Sequence, residues 1–361
     1  MTTYHQPGAG TRTLAALRRQ RWWVTRVLAL PVHLFFFAVA VFFLVRMIPG
    51  DPVAVLTGGQ NVSTAKREQI RASLGLTGSL FAQFVHYLHN VVTLRFGNSM
   101  IDGLSVWGEL SQRLPETIEL ALIAMVIATA LTVVLGLVAV LRPRSVLAKI
   151  LVPYARTAGA IPDFVLGVLG IFVCYTTFHL LPAPNGSYAP TLTPDPPVTG
   201  FPLLDALLAG DSAMFGSICA HLVLPVAVLV IANTPLLLKI FLRSLEEAVD
   251  AAPTRFRIAA GASRRTVILS VVRRAAPAAV AMMGTLFGFM LGGVVVVEQL
   301  FAMPGMGLYG VNAVNSSDRT ALEGFLIVVA TISLIVFLIV DLINMTIDPR
   351  RRPGLAKDGA S

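Results

Sequence analysis

The sequence predicts an all-α integral membrane protein with six transmembrane helices. Three observations carry that expectation. The chain is 55% hydrophobic and only 13% charged, about half the charge of an ordinary soluble domain. Six apolar runs reach the roughly 20 residues that cross a bilayer. The basic residues are gathered between alternate runs. A net charge of +9 is compatible with nucleic-acid binding, but this placement argues for membrane orientation and against a nucleic-acid partner.

The first run, 27–45, follows Arg18, Arg19, Arg21 and Arg26 and so looks like a signal peptide. It continues through Val41-Phe42-Phe43-Leu44-Val45, which is too long, and is expected to be a retained first helix. The remaining runs are 118–141, 157–180, 220–242, 277–297 and 325–347. Lipid offers no hydrogen-bond partners, so each should be a continuous helix.

Of the 28 Lys and Arg, 21 fall before residue 27, in 142–156, in 239–274 and after 348. By the positive-inside rule these segments are cytoplasmic, as are both termini. The expected organisation is a basic arm (1–26), a transmembrane domain (27–348) and a basic tail (349–361). Two segments lie outside. The first, 49–116, should carry short helices at 65–74, stopped by Gly75, and at 80–92. The second, 182–217, is rich in Pro, Gly and Thr, carries Asp195, Asp205 and Asp211, and should be a loop with one short helix near 203–209. The two cysteines, Cys174 and Cys219, sit in or beside apolar runs and are expected to be packed rather than bridged.

The cytoplasmic connection 239–274 is long and regular. Residues 244–252 favour a helix that Pro253 stops. Arg255-Phe256-Arg257-Ile258-Ala259-Ala260 makes a further turn or two closed by Gly261, and Ser263 after Ala262 can cap a following helix. Two short helices meeting at a glycine can slot into a groove on a cytosolic partner. A basic amphipathic loop lying on lipid is the equal alternative from these residues alone.

This loop around Gly261 resembles the signature loop of importer permeases, which docks on an ATPase subunit, although Phe256 and Arg257 stand where that family has small residues. The resemblance extends along the chain. Arg46-Met47-Ile48-Pro49-Gly50-Asp51-Pro52, Leu74-Gly75-Leu76, Phe96-Gly97-Asn98-Ser99 and Arg113-Leu114-Pro115-Glu116-Thr117-Ile118-Glu119-Leu120 are similar to segments of dipeptide and oligopeptide permeases, in the same order. So are the run from Val297 to Gly307 (VEQLFAMPGMG) and Asp341-Leu342 with Asp348-Pro349-Arg350. The resemblance implies the permease fold of type I ABC importers in a bacterial cell membrane. It also implies a homologous second permease, two ATPase subunits or domains holding ATP and Mg, and an extracytoplasmic peptide-binding protein that delivers peptide. Arg255, Phe256, Arg257, Ile258, Ala259, Ala260, Gly261, Ala262 and Ser263 would then be the coupling element. The same architecture also serves nickel or haem import. A non-transporting scaffold or sensor is the more distant alternative.

Individual residues remain open. Gly284, Gly288 and Gly292, spaced by four, suit close helix packing within the chain or against the second permease. Asp163 suits a gate or a salt bridge equally. Asn233 and Thr234, before Pro235 in mid-span, can line a pathway. Asp341, Asn344 and Asp348 share a helix face, and Asp341 should pair with a base. Glu298 at the outer end of the fifth run is expected to be an interface anchor. His86 and His89 share a face, but two histidines make a poor metal site. No phosphate-binding Gly-x-x-x-x-Gly-Lys-Ser/Thr motif occurs, so the chain is not expected to be an enzyme or to hold a cofactor of its own.

Overall fold

A computed structural model of the chain describes residues 22–48, 51–57, 60–156 and 161–347. The basic arm before residue 22, the tail from 348, Pro49, Gly50, Asp348 and the expected start of the third span at 157–160 lie outside the described residues. Among the described residues, regular structure is helical except for one β-bridge between Asn98 and Ser105.

Helix α1 (Trp22–Arg46) is long and apolar enough to cross a membrane. Three short helices follow: α2 (Pro52–Leu56), α3 (Thr64–Ser73) and α4 (Leu80–Thr93). Their starts are set by side-chain caps. Asp51 accepts from the Val53 N–H, Ser63 from Lys66 and Ser79 from Ala82, satisfying amides that have no intrahelical partner. Gly75, at φ +65°, turns the chain after α3 as expected. Helix α4 carries no formal charge and lies along α1, its Phe84 ring meeting both Phe42 (5.0 Å) and Phe35 (6.3 Å).

Helix α5 (Val106–Leu141) begins twelve residues before the expected span and runs for 36 residues, capped by Ser105. Helix α6 (Val146–Arg156) follows a tight turn, where the basic residues predict only a cytoplasmic connection. Its Tyr154 hydroxyl donates to the Ile231 carbonyl (2.9 Å), and Ala148 and Ala155 pack with Leu238 and Leu242. Helix α7 (Asp163–Gly170) continues as a π-helical stretch, Ile171–Thr177. At 1.5 Å per residue these 15 residues rise about 22 Å, less than a bilayer core of about 30 Å. In the described part of the expected third span, 161–180, regular structure is limited to α7 and its π-helical continuation.

After α8 (Pro202–Ala209), helix α9 (Ser212–Asp250) runs 39 residues from a double cap by Asp211. Helix α10 (Ala252–Ala259) links it to α11 (Arg264–Phe301), and α12 (Met306–Asn315) and α13 (Arg319–Ile347) complete the chain. The main core lies where α5, α9 and α11 meet, around Leu120, Leu229, Leu286, Met290 and Val294. A second core joins α1, α4, α5, α12 and α13.

Helices α1 and α13 are antiparallel and bonded at both ends. Arg26 Nε pairs with Asp341 (3.2 Å) at one end. At the other, Arg46 pairs with Glu323 (3.5 Å) and Arg319 Nη2 donates to the Ile48 carbonyl (2.5 Å). The base that Asp341 was expected to find therefore comes from α1 and not from a loop. Trp22 and Ile347 consequently lie on the same face of the bundle, the one rich in Lys and Arg.

On the opposite face, one turn of α5 organises the loops. Thr117 Oγ1 donates to Glu298 (2.6 Å) and accepts from the Met306 N–H (2.8 Å). Glu298 also accepts from the N–H groups of Gly307 (2.6 Å) and Leu308 (3.1 Å) at the start of α12. Two residues on, Glu119 accepts from the Leu203 N–H (3.1 Å) at the start of α8, and Glu116 bonds the Ser187 hydroxyl. The segment 96–104 is held similarly. Met100 N–H donates to the buried Asp318 (2.9 Å), and hydrogen bonds from the Leu104 N–H and the Ser99 side chain hold the Asp102 carboxyl below the usual carboxylate range.

Glu298 is therefore not an interface anchor: it is fully buried, 0% exposed. Burial is tolerated because three donors meet it at a positive helix end. A Cβ on Gly307 would lie 2.6 Å from the Val295 backbone, so this approach requires glycine. Replacing Glu298 by Ala orphans those donors and should lower stability by about 3 kcal/mol. Gly307→Ala should also destabilise, and Glu298→Gln less than either. Thermal melting of the purified variants checks this ordering.

Candidate functional site

The predicted coupling residues form one compact motif on the basic face. Helix α9 ends at Asp250, Ala251 turns the chain, and Pro253 sits in the first turn of α10, where its missing N–H costs nothing. Pro253 therefore opens a helix as well as following one. The end of α10 is a Schellman motif: Ala262 N–H bonds the Arg257 carbonyl and Gly261 N–H the Ile258 carbonyl, both at 3.0 Å. Gly261 takes φ +74°, a conformation that favours glycine. Ser263 then caps α11, accepting from the Thr266 N–H (3.3 Å).

Every residue from Arg255 to Gly261 is exposed, Phe256 to 74% and Ile258 to 59%. Two apolar side chains flanked by Arg255 and Arg257 are thus displayed to the outside. The anchor beneath them is polar and buried. Thr254, 1% exposed, donates its hydroxyl to the Ala248 carbonyl of α9 (2.6 Å) and accepts from Arg274 Nη2 of α11 (2.7 Å). Arg274 also bonds the Ser270 hydroxyl (3.0 Å). One threonine ties α10 to both long helices at once. Neither Thr254 nor Arg274 stands out in the sequence. The available signal was a threonine directly after Pro253, a position where a hydroxyl usually serves only its own helix.

Models of two families match the chain. Residues 132–353 match the binding-protein-dependent transport system inner membrane component, and residues 19–121 match the N-terminal region of such membrane components. The chain belongs to this family of transport-system permeases. Among its relatives is the dipeptide transport system permease protein DppB of Escherichia coli, 31% identical over 86% of this chain and 92% of that protein. The probable D,D-dipeptide permease DdpB of the same organism is 32% identical over 94% and 98%. A di/tripeptide permease of Pseudomonas aeruginosa is 28% identical over 91% and 98%.

The permease is thus a multi-pass membrane component of an ABC transport system, which works with a binding protein and an ATPase. Its other sequence-predicted residues are placed as follows. Asp163 opens α7 and lies so close to α11 that a Cβ on Gly293 would meet its Oδ2. It has no ion pair among the described residues. Asn233 is 9% exposed and bonds the Leu229 carbonyl (2.8 Å), and Thr234 is 1% exposed. Both are thus buried along α9. Gly284 packs against Phe337 and Val340 of α13, whereas Gly288 and Gly292 meet nothing within 4 Å. Close packing within the chain therefore holds for Gly284 alone. Gly293, which sequence spacing passed over, makes the other tight contact.

Thr254→Val keeps the shape and removes both hydrogen bonds. Amide hydrogen exchange over 252–262 should then speed up by about tenfold while exchange in the α5–α9–α11 core is unchanged.

Proposed function

We propose that this chain is the permease subunit of an ATP-driven peptide importer, forming half of the translocation path and receiving ATPase motion through α10. The observation that carries this reading is the exposed Phe256–Ile258 surface standing on the Thr254 anchor. An apolar pair displayed beside two arginines suits a groove on a soluble partner, and the anchor gives the displacement somewhere to go. The names of the relatives support peptide as cargo.

In this account ATP and Mg bind two ATPase subunits or domains, and this chain performs no covalent chemistry. Closure of the ATPase pair moves α10. Because Thr254 bonds Ala248 and Arg274, α9 and α11 move with it. Both helices run about 57 Å, so a shift at the basic end is delivered to the opposite face. There an extracytoplasmic binding protein hands over peptide, and the exposed stretch 193–199 offers it a surface. A homologous second permease covers the α11 face bearing Gly288, Phe289 and Gly292. The six crossings are α1, α5, the pair α6–α7, α9, α11 and α13, with both termini in the cytoplasm and the outer helices α2, α3, α4, α8 and α12 on the far side.

The test is co-purification of the ATPase with wild type, Phe256→Asp, Ile258→Asp and Gly261→Pro. The first two changes are at exposed positions and should leave melting unchanged while weakening ATPase association at least tenfold. Gly261→Pro should uncouple transport. If no ATPase accompanies wild type, the importer reading fails. If it accompanies all four proteins equally, α10 is not the docking element.

A further inference from the structure

A cavity of about 540 Å³ lies on the face opposite α10, within the range of about 300–1,000 Å³ common for small-molecule sites. Its walls are the inner side of α4, the adjoining ends of α1 and α13, and residues 74–76 and 96–103.

Its charged lining is unevenly satisfied. The Arg46 guanidinium lies 3.4 Å over the Phe42 ring and donates to the Phe42 carbonyl (3.1 Å) and Gln83 Oε1 (3.4 Å). Arg319 is held by the Ile48 carbonyl. Glu323 has much less. Its side chain is 25% exposed, it lines the cavity, and its ion pair among the described residues is the 3.5 Å approach of Arg46. Beside it the Tyr87 residue is 7% exposed, and its hydroxyl has no hydrogen-bond partner among the described residues.

Buried polar groups are rarely left in this state: Glu323 has room for a donor beyond Arg46, and the Tyr87 hydroxyl has no partner of either kind among the described residues. A carboxylate and a hydroxyl acceptor suit an ammonium group. The cavity also holds two guanidinium groups against one carboxylate, so a simple cation would enter a site already positive. An anion alone would leave Glu323 unmet. A molecule carrying both signs satisfies each requirement.

We propose that this cavity binds a small zwitterion, with a primary ammonium between Glu323 and the Tyr87 hydroxyl and anionic oxygens toward Arg46 and Arg319. Two sources carry that chemistry. A dipeptide or amino acid arrives from water, and an ethanolamine phospholipid presents the same pair of groups at the membrane surface, the level of the outer ends of α1 and α13. The site is remote from α10 and does not depend on which cargo the transporter carries.

The full chain is purified in detergent and titrated calorimetrically with alanyl-alanine. In parallel it is placed in nanodiscs of mixed ethanolamine and choline phospholipids, and retained lipid is read by native mass spectrometry. One alanyl-alanine per chain identifies an aqueous ligand. Selective retention of the ethanolamine lipid identifies a membrane one. In either case Tyr87→Phe, which keeps the ring packed on Phe42, should weaken binding about tenfold, and Glu323→Gln by more. Retention of neither probe overturns the proposal, as does binding that Tyr87→Phe leaves unchanged. Should Glu323→Gln fail to fold, Tyr87→Phe alone decides.

Discussion

The far side of this permease is built around one buried carboxylate. Glu298 sits near the end of a 38-residue apolar helix, and an uncompensated charge there would cost several kcal/mol. Compensation comes from the start of α12 and from Thr117, and each donor imposes its own demand. The amides must come close, which excludes a side chain at Gly307. Thr117 must also receive the Met306 N–H, which fixes α5 against α12. The Glu116 and Glu119 contacts then follow from the same turn of α5. Four segments distant in sequence are thereby fixed relative to one another by electrostatics at helix ends rather than by apolar packing, which is weak as a driving force in lipid.

The basic face is organised on the opposite principle. Apart from Thr254 and Arg274, little holds α10 in place, and its own surface is exposed from Arg255 to Gly261. A rigid far side and a lightly tethered near side suit a lever. Contacts around α10 are few, and the helices it joins, α9 and α11, share a core at Leu229, Met290 and Val294 that is fully buried. The antiparallel pair of α1 and α13, closed by ion pairs at both ends, braces this unit from one side.

Much of this was legible in the sequence because it rests on local rules. Apolar runs gave five of the helices, Gly75 gave the end of α3, and Gly261 gave the turn after α10. The failures share a cause: charge was read as a sign of water. Arg142, Arg144 and Lys149 marked a connection without revealing the helix α6 within it, since Arg142 and Arg144 lie in the turn before α6 and Lys149 can reach the surface from it. Glu298 looked like an interface residue because its three donors come from the start of α12 and from a helix 181 residues earlier in the chain. The Asn233 side chain bonds the carbonyl one turn back, which its place in mid-span does not announce. Each misreading concerns a polar group whose partner is distant or unexpectedly near, which sequence spacing does not reveal.

The glycine series shows how function separates from folding on a single helix. Gly284 and Gly293 face other helices of the same chain and are needed for close approach there. Gly288 and Gly292 lie on the side where Phe289 is 68% exposed. In a bilayer, lipid tails can cover Phe289 well, but two glycines leave a groove that flexible chains fill poorly. A second helix fills it better, because small residues let backbones come together and gain dispersion contacts that lipid does not provide. The spacing that sequence presented as one motif therefore divides: Gly284 completes this chain's own core, while Gly288 and Gly292 face outward from it.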